Sequence, residues 1–151
     1  MSLVDKIDEK YKISIKEKDN NSINTLRLIK SSIKDKEIAL RSKQEKLLDK
    51  DILSLLQNMI KQRKDSIEAF AKANRNDLIE KEKNEVLVIE KFLPQQLSEG
   101  EAQKIIAKII QENNLSSLKD MGKLMSIIKT NYVGQIDMGV AGKIAKSSLG
   151  N

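Results

Sequence analysis

An all-α chain in two parts is what this sequence predicts: a bundle of about four helices over residues 1–93, then a small three-helix tail over residues 94–151. Three observations carry the prediction. All six glycines and the single proline lie after Leu93, where ordinary usage would place roughly eleven such residues in the first 93. Both residue types interrupt helices, so the first part reads as long helix with little punctuation. Apolar side chains recur every three or four residues, the period of one helix face. Aromatics are 3% of the chain against 33% charged residues, which argues against a sandwich or barrel and fits aliphatic seams with charged outer faces.

Taken in order, Leu3, Ile7, Tyr11 and Ile15 mark a first helix from about Leu3 to Lys18. The polar break Asp19-Asn20-Asn21-Ser22 offers Ser22 or Asn21 as N-cap of a second helix, with Leu26, Ile29 and Ile33 as its stripe and an end near Ser42. The charged stretch Lys43–Lys50 is a loop or frayed turn, and Asp49 or Asp51 caps a third helix. That helix carries Ile52, Leu55, Leu56, Met59, Ile60, Ile67 and Phe70 on one face, with Arg63 beside it. Residues 73–77 make a turn without glycine. A fourth helix follows with Leu78, Val86, Ile89 and Leu93, its Glu80–Glu85 stretch expected to face water. Pro94 ends it, because the residue before a proline avoids helical geometry. In the tail, Ser98–Glu101 has the capping-box pattern before Ile105, Ile106, Ile109 and Ile110, and Asn113-Asn114 closes that helix. Ser117–Asp120 repeats a weaker cap before Met121, Leu124, Met125 and Ile128. Gly134 marks a turn, and Asp137 caps a last helix with Val140, Ile144 and Leu149. Met59, Met121, Met125 and Met138 fit core positions better than a docking groove.

The chain has neither Cys nor His. Disulfides, thiolate nucleophiles, zinc sites and imidazole catalysis are thereby removed together. The residues point to no metal and no cofactor, and the glycines fit no phosphate-loop or dinucleotide pattern. No N-terminal apolar run resembles a signal peptide and no stretch is long and apolar enough to span a bilayer, so the expected compartment is the cytoplasm, with no membrane partner. The formal charge of +6 divides into +4 up to Leu93 and +2 after it, a mild bias compatible with a polyanion.

Several segments resemble a known family. Lys61-Gln62-Arg63-Lys64-Asp65-Ser66-Ile67-Glu68, with Phe70, Arg75, Asp77-Leu78 and Glu82 after it, resembles the central signature of the YqeY family. Leu93-Pro94-Gln95-Gln96-Leu97-Ser98 is similar to its linker, and Asp120-Met121-Gly122-Lys123-Leu124-Met125 with Gly134 and Asp137 to its tail. From Pro94 on, the chain is also similar to the C-terminal domain of the ATP-using subunit of the tRNA-dependent amidotransferase, the part that grips the outside of the tRNA; related domains occur on some glutaminyl-tRNA synthetases. The resemblance implies a helical bundle with a small helical tail, and a role near tRNA or a tRNA-handling enzyme. It does not imply amide transfer, since glutaminase and activation chemistry in that enzyme belong to other parts, although a carbon–nitrogen ligase label follows the shared tail. Asn74 stands where the family commonly has Gly, and Asn131, Tyr132, Val133 and Gln135 stand where its tail is often basic.

The candidate nucleic-acid-binding residues are Lys119, Lys123, Lys129, Lys143 and Lys146, with Gly122 allowing a phosphate to approach and helix N-termini near Ser117 and Asp137 adding donors. The same pattern fits a solvated lysine face with Gly122 serving helix packing. Lys61, Arg63, Lys64 and Arg75 form a possible second basic site, or else the arginines pair with Asp65, Asp77 or Glu82. Asp65, Glu68, Asp77, Glu82 and Glu85 are numerous, but ordinary pairing with nearby cations explains them better than catalysis, and Ser66 has no imidazole partner. No catalytic residue is assigned. The leading expectation is a non-catalytic tRNA-binding accessory protein; a protein–protein adaptor and an amide-transfer enzyme are the alternatives.

Overall fold

The structure, a computed structural model, describes residues 1–150. Among them the regular elements are all helical: α1 (Leu3–Glu17), α2 (Asn20–Arg41), α3 (Asp49–Lys72), α4 (Asn76–Glu90), α5 (Glu99–Glu112), a 3-10 turn (Leu118–Asp120), α6 (Met121–Asn131) and α7 (Met138–Leu149). The chain divides into two compact units, Met1–Leu93 and Pro94–Asn151.

In the first unit the periodic positions do what their spacing dictates. Ile7, Leu26, Ile29, Ile52, Leu56 and Ile89 are almost fully buried and form the centre of one aliphatic core. The helix starts are fixed by carboxylates and hydroxyls. Ser2 Oγ accepts from the Asp5 N–H while Asp5 accepts from the Ser2 N–H. Asp19, rather than Asn21 or Ser22, caps α2, accepting from the Ser22 N–H at 3.2 Å and the Ser22 hydroxyl at 2.6 Å. Neither Asp49 nor Asp51 occupies the cap position of α3, which is Leu48. Asp51 reaches back to the Leu48 N–H, and Asp49 accepts the Leu3 N–H from the start of α1. With no glycine available, the three connections each place another residue in the left-handed region: Lys18, Gln44 and Asn74, at φ of 58°, 58° and 56°. Asn74 is suited to this geometry, because its short polar side chain tolerates it. α4 stops at Glu90, and Phe92 and Leu93 continue as half-buried cover on the core.

The expectation of a water-facing Glu80–Glu85 stretch fails at its end. Glu85 is buried. Positions 78, 82, 85 and 89 share a helix face, so Glu85 falls on the seam of α4 that packs against α3. Its partner is Arg63, on the equivalent seam of α3. Arg63 Nε donates to Glu85 Oε2 at 2.8 Å, with side chains only 11% and 12% exposed, and its Nη1 donates to the Met59 carbonyl at 3.1 Å. A second buried polar side chain behaves differently. Ser14 is fully buried, and among the described residues its hydroxyl finds no partner.

The second unit has its own core, centred on Ala102, Ile106, Leu124, Ile128, Ile136, Ala141 and Ala145. Ser98 and Glu101 form the expected reciprocal cap on α5. The linker is fastened to the turn before α7: the Leu97 N–H donates to the Gln135 carbonyl at 3.0 Å, and the Gln96 side-chain amide donates to the Gly134 carbonyl. That turn needs Gly134, whose φ is 82°.

These contacts fix the expected behaviour of two sets of variants. Glu85→Ala leaves the Arg63 guanidinium without its carboxylate and lowers unfolding free energy by about 3 kcal/mol, whereas Ser14→Ala removes an unsatisfied hydroxyl and is neutral or stabilising by up to about 1 kcal/mol. Urea unfolding of the two variants beside the wild type checks both signs. The second set concerns acid. The Asp120 carboxyl is held below its ordinary range by the Ser116 N–H first, the Ser117 N–H second, and the nearby Lys123 charge. In the unfolded chain it returns to about 3.9. A depressed carboxyl stabilises fully above that value, and the contribution disappears as pH falls through the folded value. Wild-type urea midpoints measured at pH 5 and pH 3 should therefore fall more than those of Asp120→Asn; equal falls would count against the cap.

Candidate nucleic-acid interface

The five tail lysines are placed by short helices whose starts are tightly capped. Ser117 Oγ accepts the Lys119 N–H at 3.3 Å, and Asp120 accepts the Ser116 N–H at 2.8 Å and the Ser117 N–H at 3.4 Å. This fixes the 3-10 turn that carries Lys119 and runs directly into α6. Asp137 Oδ1 accepts the Gly139 N–H at 2.7 Å and starts α7. The N–H groups near Ser117 and Asp137, expected to serve a ligand, are thus in part engaged by the protein's own caps.

Lys119, Lys123, Lys129, Lys143 and Lys146 are all exposed, and among the described residues none of them is ion-paired. Lys143 and Lys146, three apart, share the outer face of α7, opposite buried Ala141 and Ala145. Lys123 and Lys129 are six apart on α6, about 120° around the helix from each other at 3.6 residues per turn, so α6 does not bring that pair to one face. Gly122 is exposed and a Cβ built there would meet nothing within 4 Å, so it does not serve helix packing. Gly142, between Ala141 and Lys143 on α7, is half-buried, and a Cβ built there would likewise meet nothing within 4 Å.

Four of the five acids of this unit are engaged, and Glu99, exposed in the first turn of α5, is the exception among the described residues. Glu101, Asp120 and Asp137 hold helix starts, and Glu112 lies 3.8 Å from Lys108. Lys104, on the outer face of α5, is a further exposed cation and among the described residues is in no ion pair. The isoleucine stripe of α5 signals it, because that stripe puts position 104 on the opposite face.

The residues named for a second basic site divide. Lys61 and Lys64 are exposed on α3. Arg63 is turned inward to Glu85 and Met59, a partner 22 residues away that none of the expected acids supplied. Arg75 grips Asp77 with Nε to Oδ1 at 3.2 Å and Nη2 to Oδ2 at 3.1 Å. That contact, more than any other, holds the Asp77 carboxyl below its ordinary range and raises the guanidinium. These two forks face carboxylates of their own chain. Of the other carboxylates nearby, Glu68 lies 3.9 Å from Lys72. Among the described residues no group of three or more acidic side chains is arranged to hold a metal ion, and no helix is long and apolar enough to cross a membrane.

One basic feature leaves no mark in the sequence. Tyr11 on α1 accepts from Arg27 Nε at 3.1 Å, and Lys30 lies over its ring at 4.5 Å from the centroid while pairing with Asp8 at 3.1 Å. Tyr11 and Arg27 are 16 residues apart, and only the packing of α1 on α2 joins them.

Comparison with known proteins gives the chain its kin. The model of the Yqey-like protein family matches residues 4–149. A protein of Lachancea thermotolerans named altered inheritance of mitochondria protein 41, mitochondrial, is 38% identical over 70% of this chain and 59% of its own length. The protein of the same name from Kluyveromyces lactis is 36% identical over 80% of this chain and 61% of its own. An uncharacterized protein of Schizosaccharomyces pombe is 37% identical over 61% of this chain and 72% of its own. The chain thus spans about three fifths of the length of the first two relatives. Their names overturn the expectation of a cytoplasmic protein. That expectation rested on the lack of an apolar N-terminal run, which does not bear on mitochondria, whose transit segments are amphipathic rather than apolar. With nearly every described residue inside the matched range, this chain belongs to the YqeY-like family.

Proposed function

We propose that the protein is a non-catalytic accessory factor that binds tRNA, alone or on a tRNA-handling enzyme, through the lysines of its C-terminal unit. The observation that carries this reading is the state of charge there: Lys119, Lys123, Lys129, Lys143 and Lys146 are exposed, while Glu101, Asp120 and Asp137 are tied to helix starts. Unneutralised ammonium groups attract a phosphate backbone, and their counterion exchange gives binding a steep salt dependence. Base stacking has little to work with, since the one aromatic side chain of this unit, Tyr132, is half-buried against the core. Recognition by backbone and shape, as for folded RNA, is the mode that remains. On α7 the bare backbone at Gly142 lets a phosphate come close beside Lys143 and Lys146.

An adaptor role has one feature in its favour, the half-exposed Leu118 between Ser117 and Lys119. Partner capture that survives ribonuclease would favour it over RNA binding.

Titration with total tRNA over a salt series tests the proposal. Wild type should bind with a salt slope, and Lys143→Ala with Lys146→Ala should weaken binding by roughly tenfold and flatten the slope by about one unit per lysine. Binding no tighter than to polyglutamate, or an unchanged slope in the double variant, contradicts it. Gly142→Ala separates fold from function: it should raise stability by about 0.5–1 kcal/mol while lowering tRNA affinity several-fold.

A further inference from the structure

The chain contains four arginines. Three are ion-paired to carboxylates of the protein itself: Arg41 to Glu37, Arg63 to Glu85 and Arg75 to Asp77. Arg27 is different. It is exposed on α2, and its one hydrogen bond among the described residues runs from Nε to the hydroxyl of Tyr11 at 3.1 Å. A phenol is neutral, so this contact orients the guanidinium without cancelling its charge. It also occupies Nε only, and the end-on edge of the fork, Nη1 and Nη2, has no partner among the described residues. That edge matches two oxygens of a phosphate.

The surroundings add to the field. Lys30 and Lys34 follow Arg27 at i+3 and i+7, so the three side chains line one face of α2 over about 10 Å at 1.5 Å per residue. Lys34 is exposed and among the described residues has no carboxylate partner. Lys30 is held over the Tyr11 ring at 4.5 Å and is partly neutralised by Asp8 at 3.1 Å. Tyr11 therefore positions two cations at once, one through its hydroxyl and one through its face. Of the acids near the row, Asp8 takes Lys30 and Glu37 takes Arg41, while Asp35, exposed beside Lys34, is in no ion pair among the described residues and offsets part of the field at that end.

We propose that Arg27, positioned by the Tyr11 hydroxyl and flanked by Lys34, is a phosphate-binding residue of the N-terminal unit and contacts the backbone of a structured RNA. The inference rests on the reading of the protein as an RNA binder, and it puts the N-terminal contact on α2 rather than at Arg63 and Arg75. Tyr11 is the positioning residue and Arg27 the contact. A regular row of cations along a helix suits a repeating backbone charge better than an isolated acidic side chain.

The test uses the full chain, total tRNA and a salt series, with Arg27→Ala, Arg27→Lys and Tyr11→Phe beside the tail variant Lys143→Ala/Lys146→Ala. Arg27→Ala should weaken binding by roughly five- to tenfold and lower the salt slope by about one. Arg27→Lys keeps the charge and hence the slope, but loses the fork and binds about threefold more weakly. Tyr11→Phe keeps the ring beneath Lys30 and removes only the acceptor; it should weaken binding by about two- to threefold with the slope unchanged. Thermal midpoints should stay at the wild-type value for the exposed Arg27 variants, so lost binding is not lost fold. Full affinity in Arg27→Ala together with weakened binding in the tail variant overturns this inference and leaves the tail reading standing. The opposite pattern supports Arg27 and removes the tail. Wild-type binding without a salt slope overturns both. Displacement of tRNA by polyglutamate at equal charge concentration would show that Arg27 takes carboxylates of a protein partner, and would overturn the assignment to RNA.

Discussion

Carboxylates at helix starts are the constraint on which the rest of this structure depends. The first turns of a helix leave N–H groups without intrahelical partners, and a chain rich in short polar residues meets that need with its own acids. Asp5, Asp19, Asp51, Glu101, Asp120 and Asp137 each accept backbone N–H groups where a helix or 3-10 turn begins. The arrangement sets where helices begin, and with them the register of each apolar stripe. It also determines which charges remain outside. In the C-terminal unit the caps absorb three acids, and the lysines are left facing water. In the N-terminal unit many acids instead meet cations, as in Asp8 with Lys30, Glu37 with Arg41, Glu68 with Lys72, Asp77 with Arg75 and Glu85 with Arg63. Two units of the same family signature thus have different electrostatic characters, although both carry a modest formal excess of positive charge.

The lack of glycine before Leu93 has its own consequence. Each connection there uses a residue with a side chain in left-handed geometry, which costs on the order of 1 kcal/mol where the residue is not Gly or Asn. Lys18 and Gln44 bear that strain, and the core of the unit offsets it. Arg63 and Glu85 lie on the same α3–α4 seam, just past the buried Met59 and Ile60. A pair that is hydrogen-bonded and mostly buried is strongly destabilising to break, whatever its net worth when whole. Its position argues for a role in fixing α3 against α4 rather than for a role toward a ligand.

Much of this is legible in the sequence and some is not, for identifiable reasons. Helix positions follow from the stripes Leu26-Ile29-Ile33 and Ile52-Leu56-Met59-Ile60, because burial of an aliphatic face imposes its period on the chain. The capping box at Ser98–Glu101 is readable because both of its bonds are local. Asp19 does not stand out from Ser22 because both are good caps, and only the backbone conformation shows which one precedes the first helical residue. Glu85 is misread as solvent-facing because a charged side chain on an apolar seam looks like an exception until its partner is known, and Arg63 lies 22 residues earlier. The exposure of the five tail lysines follows from the apolar stripes. Their lack of ion pairs among the described residues does not, since it depends on which acids the caps recruit. Tyr11 with Arg27 leaves no local trace at all.

The central claim is that the tail lysines without an ion-pair partner are where RNA lies. Mass-spectrometric footprinting of lysine acylation, with and without total tRNA, tests it most directly. The account predicts that tRNA protects Lys123, Lys143 and Lys146 while Lys72 and Lys108, which face Glu68 and Glu112, stay as reactive as in the free protein. Uniform reactivity at all of these positions, or protection confined to the carboxylate-paired lysines, would contradict it.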